Sequence, residues 1–171
     1  MRGVLSYLTT NSNYHSFGLL LLRIIGGLMM VYNHGWGKIT ADPEKWNRLG
    51  HSLTDFIGLE ILSTFFGFMA AFSESVCALL IIFGLFTRPA SILLFFTMFV
   101  ASMNHIMDSE MPELAIMYCV LSLVLILSGP GKFSLDQKWF SKLNFPGPLN
   151  ISTNDSKQYI MANSGISLSI M

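Results

Sequence analysis

The chain has 171 residues, of which 52% are hydrophobic and only 12% charged. A typical soluble domain carries about 25% charged residues, so this composition excludes a soluble globular enzyme and a disordered chain and points to an integral membrane protein. Ten Lys and Arg balance ten Asp and Glu, which leaves no field to attract a nucleic-acid backbone, and two cysteines build no disulfide framework.

A bilayer core of about 30 Å takes about 20 apolar residues per helix. Four windows meet that need, at about 15–37, 61–86, 89–107 and 112–128. The first apolar run begins near Phe17 and has no small-residue exit, so it reads as a span and not as a cleaved leader. Residues 38–60 form the long loop between the first two spans. There Trp46, Leu49, Leu53, Phe56 and Ile57 recur at helical spacing, which predicts a short amphipathic helix lying at the membrane interface. Thr87-Arg88 alone joins the second and third windows, and the acidic turn Asp108-Ser109-Glu110-Met111 joins the third and fourth. Pro89 and Pro112 suit first helical turns. Gly129-Pro130-Gly131 stops the fourth span. The expected fold is all-α: a transmembrane four-helix antiparallel bundle over residues 1–142, followed by a polar C-terminal tail at 143–171. Asn150 and Asn154 in that tail fit the glycosylation pattern.

Basic residues gather on one side (Arg2, Arg88, Lys132, Lys138, Lys142), whereas Lys38, Lys45 and Arg48 on the other are diluted by Asp42, Glu44, Asp55, Asp108 and Glu110. The positive-inside rule then puts both termini in the cytoplasm, in a bacterial-type inner membrane.

An ionisable side chain within a span is a functional hypothesis by default. Arg23 and Glu74 are such residues, and their expected depths are close enough for an intramembrane ion pair. The pair is read either as a structural clamp on helix register or as part of a site, with Arg23 reaching for the headgroups as a third reading. Arg23, Gly27, Met30 and His34 share a helix face, as do Gly67, Ala71, Glu74 and Ala78, so the interior is close-packed and polar. Near the outer ends stand His34, Asn104, His105 and Glu113. They form a candidate quinone or proton site, because histidine titrates near neutral pH and hydrogen-bonds a carbonyl. The competing readings are haem or metal ligation, and histidines that merely cap helix ends. No ligand spacing supports a metal. Cys77 and Cys119 stand singly among apolar residues and read as small hydrophobes.

The run LLLRIIGGLMMVYNHGWGKI, with Arg23, Gly26, Gly27, His34, Gly35 and Lys38, resembles the first span of DoxX family membrane proteins. AAFSESVCALLIIFGLFTRPAS resembles the family's hairpin through Glu74, Gly84, Thr87 and Arg88, and PELAIMYCVLSLVLILSGPGKFSLD resembles its closing span. The resemblance implies a four-helix membrane bundle. Some DoxX-like proteins are small subunits of a thiosulfate:quinone oxidoreductase, others accompany enzymes of thiol and oxidant defence, and distant relatives are assembly factors. Two functions follow as expectations: a membrane subunit of a quinone- or thiol-linked redox system, working with the lipid bilayer and another protein subunit, or a non-catalytic scaffold. A small transporter is a third reading, weakened by the absence of repeats and broken spans.

Overall fold

The computed structural model describes residues 12–142. Within them the chain forms α1 (Ser12–Met30), a π-helical turn (Val31–Gly35), α2 (Trp36–Ile39) and α3 (Pro43–Ile57). A 3-10 turn (Glu60–Leu62) then leads into α4 (Ser63–Phe72), a second π turn (Ser73–Cys77) and α5 (Ala78–Phe83). The last three helices are α6 (Thr87–Met107), α7 (Glu113–Ser128) and α8 (Leu135–Lys142). The expected tail, with Asn150 and Asn154, lies outside the described residues, as do Arg2 and the chain start. The chain divides into one compact unit over Met1–Phe140 and a second over Ser141–Met171; all that follows concerns the first.

Among the described residues three helical segments are long and apolar enough to cross a membrane: Tyr14–Ile39, Glu60–Phe83 and Thr87–Met107. Glu113–Ser128 is a shorter apolar helix, about 24 Å long at 1.5 Å per residue. The fold is an all-α membrane bundle.

Glycines set how close the helices come. A Cβ at Gly27 would meet Ile82 Cγ1 at 2.4 Å, and one at Gly35 would meet the Glu74 carbonyl oxygen at 2.3 Å. These contacts lay α1 and α2 antiparallel along α5 and its preceding π turn, with Arg23 at the level of Gly84. They also bring the two π turns against each other. A π turn inserts one residue into a helix, shifts its face and is frequent at functional sites.

The segment between the first two spans holds the expected helix. α3 lies antiparallel against α4. A Cβ at Gly50 would stand 1.7 Å from the Ser63 carbonyl oxygen, and one at Gly67 1.7 Å from that of Trp46. Asn47 Nδ2 donates to Thr64 Oγ1 at 3.2 Å, and Thr54 and Ser63 share a hydroxyl bond at 2.9 Å. Small residues admit this approach where apolar lipid gives no drive for helices to associate.

At the end that carries Arg88, Lys132 and Lys138 (the basic end), Gly84 closes α5 with φ +67°, a left-handed cap that suits glycine. Asp136 lies under the next helix. Its carboxylate accepts the Phe86 and Thr87 amides at 2.8 and 2.9 Å and the Thr87 hydroxyl at 2.9 Å. One buried side chain thus caps α6 and ties the segment after α7 to the turn before α6.

Candidate functional site

The structure corrects the expected Arg23–Glu74 pair. Arg23 is fully buried, but Nη2 donates to the Phe133 carbonyl at 2.9 Å, and the guanidinium lies over Gly84 near Asp136. Glu74, also buried, accepts from Lys38 Nζ on both carboxylate oxygens at 2.6 Å. The reason is helix register. Arg23 stands level with Gly84, ten residues along the chain from Glu74, or about 15 Å of helix, which no side chain spans. Lys38, three residues past Gly35, is carried straight to the carboxylate because Gly35 rests on the Glu74 backbone.

Lys38 is therefore no surface-loop residue. Trp46 Nε1 donates to its carbonyl at 2.8 Å and Lys45 Nζ donates to the Gly37 carbonyl at 3.0 Å, so the start of α3 clamps the end of α2. Glu74 stands near the middle of the Glu60–Phe83 segment. The pair thus occupies the interior of the bundle, where two charges persist only by satisfying each other.

This pair closes one side of a cavity of about 240 Å³ between α3, α4 and α6. Leu49, Leu53, Phe65, Phe66, Leu93 and Phe96 supply most of its wall, with Ser52 and Thr97 as polar points. An apolar pocket with a few convergent polar groups is the usual form of a small-molecule site. Lys38 retains 25% side-chain exposure against 2% for Glu74, so Lys38 is the less enclosed member of the pair. Two of its three N–H directions go to Glu74, which leaves one for an acceptor in the cavity.

His34, Asn104, His105 and Glu113 do not line this cavity. His34 is half-buried within the first π turn, beside the Gly35–Glu74 contact. His105 Nδ1 is exposed and 2.8 Å from Glu110 Oε2. Asn104 Nδ2 donates to the Ser52 carbonyl at 2.7 Å and the Val100 carbonyl at 3.0 Å, tying α6 to α3. Glu113 is exposed in the first turn of α7. The first span ends level with Glu74 and not at the far end of the bundle. His105 lies four residues beyond Ala101, where the cavity wall ends on α6, about 6 Å further along the helix. The two histidines therefore sit at different depths. Cys77 and Cys119 are free thiols. Among the described residues no three His, Cys, Asp or Glu converge as a metal site would require.

The sequence signal for the observed pair was the spacing Gly35-x-x-Lys38 after an apolar span. A lysine following such a window reads as the start of a loop unless the next helix is known to fold back over it.

The DoxX family model matches residues 18–105, which include Arg23, both π turns, Lys38, Glu74 and all of α3. The chain belongs to the DoxX family. It is 30% identical over 138 residues to an uncharacterized protein of Haemophilus influenzae, an alignment that covers 75% of this chain and 96% of the relative. No solved structure matches it. Within this DoxX protein the matched region carries the whole wall of the cavity and the Phe86 and Thr87 groups that Asp136 holds, while Asp136 itself lies beyond it.

Proposed function

We propose that this DoxX protein is the membrane subunit of a quinone-linked redox system, and that the cavity between α3, α4 and α6 receives the quinone head. The carrying observation is the buried Lys38–Glu74 pair on the wall of an otherwise apolar, aromatic-lined cavity. A fixed anion would meet Glu74 and a fixed cation would meet Lys38, so the pair favours a neutral head with a hydrogen-bond acceptor. A quinone ring is such a head: its carbonyl accepts the spare Lys38 N–H, and its faces suit Phe65, Phe66 and Phe96. In this reading the electrons come from a partner subunit. The positive-inside rule supports placing the basic end in the cytoplasm of an inner membrane.

The first test is purification in native lipid. Solvent extraction should recover quinone with the wild type, and recovery should fall with Lys38→Met. Absence of quinone from the wild type together with a stable, unrelated partner complex favours the scaffold reading.

A further inference from the structure

Hydroxyl groups inside the bundle fall into two sets. Ser75, Thr97 and Ser102 each donate to the carbonyl four residues earlier, at 2.6, 3.0 and 2.8 Å. That is the usual way a helix buries a hydroxyl in apolar surroundings. Ser73, Ser91 and Ser122 do not: each is fully buried, and its Oγ has no hydrogen-bond partner among the described residues. A buried unpaired hydroxyl is destabilising, and three in one core call for a shared occupant.

Their positions form a sequence. Ser73 adjoins Glu74 in the second π turn. Tyr118, buried on α7, lies within electrostatic reach of Glu74. Ser122 is one turn from Tyr118, about 6 Å along α7. Ser91 is likewise one turn from Thr87 on α6, and Thr87 Oγ1 donates to Asp136 at 2.9 Å. α6 and α7 pack together, with Cys119 Sγ 3.8 Å from the Phe95 carbonyl. That antiparallel register brings Ser122 and Ser91 to about the same level of one seam.

Resting on the reading of the Lys38–Glu74 cavity as a proton-coupled site, we infer that Ser73, Tyr118, Ser122 and Ser91 hold a file of water. The file joins Glu74 to Thr87 and Asp136 at the basic end and carries protons to the cavity from that side. The path begins at a carboxylate that exchanges its proton with Lys38 or with water, and ends at a carboxylate tied to the α6 terminus. Arg23, beside Asp136, has Nε and Nη1 without partners among the described residues and lends two further donors to water there. Each hop moves one proton between oxygens and needs no other reactant. Buried waters characteristically make about three bonds to such unsatisfied groups.

The test needs no quinone, so its failure is separable from failure of the proposed function. In a background with Cys77→Ala and Cys119→Ala, Ser73→Cys, Ser91→Cys and Ser122→Cys are reconstituted singly in proteoliposomes and exposed to silver ion. The cation reaches thiols only through water. Silver should abolish later maleimide labelling at all three positions and spare a Leu94→Cys control in the dry core. In parallel, infrared spectra after mixing with deuterium oxide follow the Tyr118 hydroxyl, which does not line the cavity and is assigned by its loss in Tyr118→Phe. Ser91→Val and Ser122→Val should slow its exchange. Serine to cysteine is nearly isosteric, so the silver arm stands even where a valine variant fails to fold. Thiols as protected as Leu94→Cys, or a hydroxyl exchange rate unchanged by both valines, overturn the inference.

Discussion

Arg23 and Lys38 are both carried into the bundle, and they are treated in opposite ways. At the basic end Arg23 is wholly enclosed. It lies over Gly84, donates to a backbone carbonyl, and sits beside an Asp136 whose oxygens are already engaged by α6. In the middle of the bundle Lys38 keeps a quarter of its side chain open and donates to both oxygens of the Glu74 carboxylate. The first arrangement encloses Arg23, leaves only Asp136 at the edge of a pocket at the basic end, and fastens the segment after α7 to the turn before α6. The second leaves one face to a cavity. A charge buried to hold structure is surrounded by the chain, whereas a charge buried for use retains an approach.

Substitutions should separate the two regions. Asp136→Ala is expected to be the most damaging. It strips two amides and a hydroxyl of their acceptor and leaves buried Arg23 without its acidic neighbour, an effect of about 3–5 kcal/mol by analogy with broken buried pairs. A large fall in melting temperature in nanodiscs checks it; a near-native melt would mean that α6 is capped by other means. Lys38→Met should come next, at about 1–3 kcal/mol, since the cavity gives the orphaned Glu74 access to water. Lys38→Met with Glu74→Gln should recover much of that loss, because a neutral pair replaces an unpaired charge. Equal losses in the single and double variants would show that the two residues do not act as a pair.

How much of this the sequence shows follows from what each feature depends on. The windows at 61–86, 89–107 and 112–128 needed only hydropathy and correspond to Glu60–Phe83, Thr87–Met107 and Glu113–Ser128. Arg23 and Glu74 were legible as buried charges because charge inside an apolar run is a local fact. Their partners were not, since pairing depends on the register between helices, which Gly27 and Gly35 fix by contact and a π turn shifts by a residue. The helix at Pro43–Ile57 was visible in the spacing of Trp46, Leu49 and Leu53. Its seat on α4 depends on Gly50 and Gly67 meeting the backbone of Ser63 and Trp46, for which a single chain gives no direct signal.

Two smaller effects probe that seat. Gly50→Ala forces α3 off Ser63 and should cost about 1–3 kcal/mol. It should also weaken any ligand in the cavity, whose wall includes Gly50; unaltered stability would mean that α3 shifts freely. Asn104→Ala removes the bond to the Ser52 carbonyl and should lower stability by about 1 kcal/mol, again read as a melting shift, with no change expected at the basic end.

The central claim is that the open charge pair, and not the closed one, belongs to a site. It is tested most directly by a melting series in nanodiscs with a short-tailed ubiquinone analogue, comparing the wild type, Lys38→Met/Glu74→Gln and Asp136→Asn. A ligand stabilises only the state it binds. The account predicts a concentration-dependent rise in melting temperature for the wild type and for Asp136→Asn, and a lost or much reduced rise for the double variant. A rise of equal size in the double variant, or none in the wild type, would contradict it.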